Sequence, residues 1–164
     1  MKGSKRFLIL FYAYRFFIDF VLLYPVYMLL LESKGLSVFD ISWLLMIWSV
    51  PVFLLEIPSG ILADRWSRKY AVVIGTACKL VCFLLWLFAE GFFLFALGFV
   101  FWGAQEAFCS GSVQALLYDV LEKYGAARQY ERYAGRAAFY GGMGIALSML
   151  LGGWAASAGF DLAG

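Results

Sequence analysis

Five runs of mostly apolar residues, each long enough to cross a bilayer, dominate this chain of 164 residues. A membrane helix needs about 20 such residues to cover the hydrocarbon core. The runs are Phe7–Leu31, Ile41–Ala63, Tyr70–Ala89, Phe92–Leu117 and Ala138–Phe160. Pro25, Pro51 and Pro58 fall inside them, where each frees a backbone carbonyl and permits a kink. The chain is 64% hydrophobic and 15% charged. A soluble domain is nearer about 45–50% apolar and about 25% charged, and this composition would leave its surface uncovered. The expected fold is an all-α membrane protein with five transmembrane helices.

Several classes drop out. The net charge of +2 is small, and the bases lie in separate clusters, so nucleic acid is not an expected partner. The chain has no His, which removes His-centred metal sites and His-based catalysis. Cys78, Cys82 and Cys109 lie inside apolar runs and read as small buried hydrophobes. No Ser or Cys has an evident base partner, so an enzyme is not expected. No metal or cofactor is expected either. Lys2, Lys5 and Arg6 imitate the start of a signal peptide, but the following run is too long, contains Arg15 and Asp19, and lacks a small-residue cleavage site.

Charge alternates between the connections. Lys2, Lys5, Arg6, Arg65, Arg68, Lys69, Lys123, Arg128, Arg132 and Arg136 fall on one side. The other side has Lys34 with Glu32, Asp40, Glu90 and Asp161. The excess of bases on one side predicts a cytoplasmic N-terminus. The longest polar connection, Val120–Arg136, suits either a short helix on the membrane surface or a solvated linker.

Ionisable residues recur inside the runs: Arg15, Asp19, Glu56, Lys79 and Glu106. Such residues are expensive in a bilayer and face a partner or a watery cavity. Arg15 and Asp19 are spaced to share a helix face. Glu106, Ser110 and Gln114 recur every four residues and are expected to line one face of the fourth span. Two readings stand side by side. One is internal ion pairing, Arg15 with Asp19 and Lys79 with Glu106 or Glu56. The other is a polar path of titratable carboxylates, favoured because three acids and two bases exceed what stability requires. The small residues of the fifth span, Gly141, Gly142, Gly144, Ala146, Ser148, Gly152 and Gly153, read as a packing surface.

The second connection reads GILADRWSRK, residues 60–69. Arg68 and Lys69 open the third span, where cations oppose the helix dipole, so their placement needs another cause. Orientation and lipid phosphate contact supply one, and pairing with Asp64 supplies another. Gly60, Asp64, Arg65, Arg68 and Lys69 match in register a Gly-x-x-x-Asp-Arg-x-Gly-Arg-Lys-like motif. That motif lies between the second and third helices of the major facilitator superfamily of secondary transporters, which this chain resembles. The chain departs from it at Ser67, where the family usually has Gly. EIPSG (Glu56–Gly60) and SGSVQALLYD (Ser110–Asp119) are similar to a bacterial branch that includes many efflux proteins. A helix-four Arg linked to protons in that family is replaced by Phe99. Ser148 and Met149 stand where antiporters carry Gly-Pro.

The resemblance implies most of the N-terminal six-helix half of a transporter of twelve helices. The chain ends five helices in, so an N-terminal fragment with a missing C-terminal half is expected. The implied function is proton-coupled transport of a small molecule by alternating access, with drug or metabolite efflux as the direction. The implied location is the bacterial inner membrane. Gly60, Asp64, Arg65, Arg68 and Lys69 would form a cytoplasmic gating latch. Arg15, Asp19, Glu56, Lys79, Glu106, Ser110 and Gln114 would line the proton or substrate path. The expected partners are a small-molecule substrate, protons, the bilayer and the missing half. The alternatives are a small membrane subunit that docks through its Gly-rich fifth helix, and a truncated transporter without function.

Overall fold

The computed structural model describes residues 2–158, with side chains from Lys5 onward. Asp161 and the end of the expected fifth span at Phe160 lie outside the described residues. Among the described residues seven α-helices follow one another: α1 (Lys2–Ile18), α2 (Tyr27–Ser33), α3 (Val38–Arg65), α4 (Arg68–Leu87), α5 (Phe92–Cys109), α6 (Ser112–Lys123) and α7 (Tyr130–Ser157), with a 3-10 turn at Ala127–Gln129 before α7. Among the described residues there is no strand. Contacts divide the chain into two compact units, residues 31–116 and residues 1–30 with 117–164.

In the unit of residues 31–116, α5 packs against both α3 and α4. Ser37 starts α3 with a capping box: its hydroxyl accepts from the Asp40 amide at 3.2 Å, and its own amide donates to the Asp40 carboxylate at 2.9 Å. The helix then runs unbroken through Pro51 and Pro58. At Gly103 of α5 there is no room for a Cβ, because the Trp48 carbonyl and the Pro51 ring already press on that point. Gly98 likewise receives the Trp86 indole. Trp86 stacks among Phe95, Phe99 and Trp102, with centroids 4.9–6.1 Å away, and its Nε1 donates to the Phe95 carbonyl at 3.4 Å. Gly75 seats α4 on α5 beside the Cys109 thiol. Outside this core, Phe53, Ile57 and Phe93 stand largely exposed, as lipid-facing side chains do.

In the other unit, α1 packs on α7. Gly141, Gly144, Ser148 and Gly152 are buried on the facing side of α7. A Cβ on Gly144 would meet the Phe16 carbonyl; one on Gly152 would meet the Leu22 carbonyl and the Pro25 ring. The small-residue face is therefore a packing surface, while Gly142 and Gly153 meet nothing within 4 Å.

The expected number of spans needs correction. Four helical stretches, not five, are long and apolar enough to cross a membrane among the described residues: Val38–Arg65, Arg68–Leu87, Phe92–Lys123 and Ala127–Ser157. The expected first span, Phe7–Leu31, is broken over residues 19–26. Pro25 supplies no amide for the Val21 carbonyl. Tighter turns replace the helix, with Tyr24 donating to Val21 at 3.1 Å and Val26 donating to Leu23 at 3.0 Å.

The expected fourth span, Phe92–Leu117, lies within one of these four stretches, but its helix is interrupted. Ser110 (φ −56°, ψ 128°) and Gly111 (φ +68°) form a type II-like turn between α5 and α6. Only glycine takes the second position of such a turn without penalty. The polar connection Val120–Arg136 is mostly exposed. Most of it belongs to the ends of α6 and α7, and Leu121 is buried to 1%. α6 ends in a Schellman motif at Gly125 (φ +69°), where Ala126 donates to Leu121 at 2.8 Å and Gly125 donates to Glu122 at 2.9 Å.

Candidate functional site

The turn between α3 and α4 is two residues long, Trp66 and Ser67. Ser67 is extended at φ −176°, a conformation open to any residue. The serine in place of the family's glycine therefore strains nothing. The turn brings Asp64 and Arg68 together, with Nη2 3.4 Å from Oδ1. Asp64 is 71% exposed, so this pair contributes at most about 1 kcal/mol to stability. The second hand of Arg68 matters more for position: Nη1 donates to the Ala115 carbonyl of α6 at 3.3 Å. A base at the start of α4 is thus placed by a carboxylate and by a neighbouring helix carbonyl. Arg65 and Lys69 are exposed, and Gly60 has no atom within 4 Å of where a Cβ would stand.

Arg15 and Asp19 pair across one turn at 3.9 Å, where α1 unwinds. The Arg15 guanidinium lies against Gly141 of α7, 3.2 Å from its Cβ position. Tyr12, one turn earlier, stacks on Tyr140 at 5.1 Å, and its buried hydroxyl faces Arg136 without a well-formed hydrogen bond.

Glu56 and Glu106 are exposed, on helices that meet at the same height. The Ser59 hydroxyl marks that level, shared between the Glu56 carbonyl at 3.0 Å and the Ala107 carbonyl at 2.8 Å. Lys79 is 5% exposed on the α4 face that packs on α5. Ser110 and Gln114 are exposed as well, but the turn at Ser110–Gly111 interrupts the helical repeat on which the Glu106, Ser110 and Gln114 stripe relied.

Ser59, Gln105 and the Ala115 carbonyl are contacts the sequence did not single out. Gln105 is buried seven residues after Gly98, on the same helix face, and that spacing was the available signal. A backbone carbonyl carries no residue signature at all. A groove of about 370 Å³ between α3 and α5, lined by Ile47, Val50, Pro51, Leu54, Leu55 and Val100, is wholly apolar and includes none of the predicted site residues.

Long apolar helices, glycine-seated contacts and charges held within them define a multi-pass helical membrane protein. A family model described as Major Facilitator Superfamily matches residues 8–163. The chain belongs to that superfamily, whose members are transporters. Comparison with curated proteins returns no match.

Proposed function

We propose that this chain serves in the transport of a small molecule by alternating access, coupled to protons and directed to drug or metabolite efflux. The observation that carries this reading is the Asp64–Arg68 pair, held at 3.4 Å in the α3–α4 turn while Arg68 also grips α6. A charge pair tied to a second helix can hold one arrangement of the turn and release another. In this reading Gly60, Asp64, Arg65, Arg68 and Lys69 form the gate on a cytoplasmic face, in the bacterial inner membrane with the N-terminus inside. The exposed face of Gly60 leaves room for a helix of the second half of a complete transporter. Asp19, Glu56 and Glu106 carry protons or cationic substrate, with Arg15, Lys79, Ser110 and Gln114 lining the path.

The test uses proteoliposomes of the complete transporter with an imposed pH gradient. Asp19→Asn and Glu56→Gln abolish proton-driven movement of substrate without lowering expression. Asp64→Asn slows transport with the gradient dependence intact. Wild-type transport in both of the first two variants would remove the proton path. Docking to a partner through the fifth-helix glycines is disfavoured, because Gly141, Gly144 and Gly152 already seat α1 and the turn after it.

A further inference from the structure

The basic end of α7 has no use in the transport reading. No charged residue occurs from Ala137 to Ser157. At 1.5 Å per residue that stretch covers about 31 Å, close to the roughly 30 Å hydrocarbon thickness of a bilayer. Residues 130–136, the first turns of the same continuous helix, therefore rise into the layer of lipid phosphates.

Arg132 and Arg136 stand there one helical turn apart, on one side of the helix, and both are exposed. Arg128, in the 3-10 turn just before α7, is exposed too. Among the described residues, no carboxylate lies within ion-pair distance of these three guanidinium groups. The helix end is held firmly. Tyr118 of α6 packs on Tyr130 at 5.8 Å, and Tyr12 of α1 stacks on Tyr140. Tyr130 and Tyr133 mark the depth, since amphipathic rings settle at the headgroup level. From Val120 to Arg136 there are four bases and only two acids, Glu122 and Glu131. That balance suits a headgroup with net negative charge better than a zwitterionic one.

We propose that Arg132 and Arg136, with Arg128 beside them, hold the phosphate of an anionic phospholipid. A guanidinium offers paired N–H donors that match phosphate oxygens, and here two of them stand one turn apart on a fixed helix end. The lipid clamps the membrane entry of α7 and does not depend on substrate or protons.

Native mass spectrometry of the full chain, released from mixed bilayers of phosphatidylglycerol and phosphatidylcholine, tests this. The expected result is retained phosphatidylglycerol, preferred on the order of tenfold, with the preference lost in Arg132→Gln/Arg136→Gln. Arg132→Lys/Arg136→Lys keeps the charge without the paired donors and retains an intermediate amount, which covers the case in which the glutamine variant fails to fold. Equal retention of the two lipids, or unchanged preference in the lysine variant, would overturn the proposal. Displacement of the lipid by millimolar inorganic phosphate would also overturn it, in favour of a free-anion site.

Discussion

The Ser59 hydroxyl donates to the Ala107 carbonyl at 2.8 Å, inside the contact between α3 and α5. Ala107 lies in the last turn of α5, where carbonyls lack their usual amide partners because the helix stops at Cys109. Ser59 is 2% exposed, so its loss leaves a buried acceptor open in an apolar setting. Ser59→Ala is expected to destabilise the protein by about 1–3 kcal/mol. Thermal unfolding in detergent reads this directly, and an unchanged midpoint would contradict it.

Two glycines in the same unit should behave oppositely. Gly103 has the Trp48 carbonyl and the Pro51 ring against its Cβ position, and neither is a flexible side-chain end. Gly103→Ala therefore forces backbones apart, at about 1–3 kcal/mol. Gly60 has open space around it inside a helix. Gly60→Ala should leave stability unchanged or raise it by up to about 1 kcal/mol. The pair of melting curves separates glycine needed for packing from glycine needed for gating. If Gly60→Ala folds well yet slows transport, its role lies outside the packing of this unit.

Gly111 holds φ +68° in the turn that breaks the expected fourth span. Gly111→Ala places a Cβ in the left-handed region and is expected to cost about 1–2 kcal/mol. Gly111→Asn, which tolerates that region better, should recover part of the loss. Equal stability of all three proteins would mean that the turn relaxes into helix.

Pro25 is the proposed cause of the break in the expected first span. Pro25→Ala restores an amide for the Val21 carbonyl and permits the helix to run on. Hydrogen exchange at residues 21–26 should slow, and far-ultraviolet circular dichroism should show added helix. Unslowed exchange would assign the break to the surroundings of Asp19 instead of to proline.

Much of this fold was legible in the chain. Apolar runs located the long helices, and the glycine spacing of the last run marked the face that packs on α1. The three prolines, however, look alike in sequence and do different things. Pro51 and Pro58 sit in an unbroken α3, while Pro25 lies in the non-helical stretch 19–26. Both Pro51 and Pro25 are met by a glycine of another helix, Gly103 and Gly152, so that contact does not set them apart. The Ser110–Gly111 break was missed as well. Glu106, Ser110 and Gln114 keep a perfect helical spacing in sequence, and a periodicity cannot reveal one glycine at positive φ within it. At the α3–α4 turn the Asp64–Arg68 pair was foreseen, whereas the Ala115 carbonyl was invisible. Lys79 is legible as an intramembrane charge, but that it is only 5% exposed depends on which face of α4 meets α5.

Twice among the described residues a glycine on one helix receives a proline ring together with the carbonyl three residues before it. Gly103 takes Pro51 and Trp48, and Gly152 takes Pro25 and Leu22. Neither member of such a pair has a side-chain torsion with which to yield. The contacts act as bearings: they permit tilt about the point of touch and resist slip along it. They also tie two distant codons together. A larger residue at 103 or 152 can be accommodated only by a change at 51 or 25, so among relatives these positions should drift as pairs.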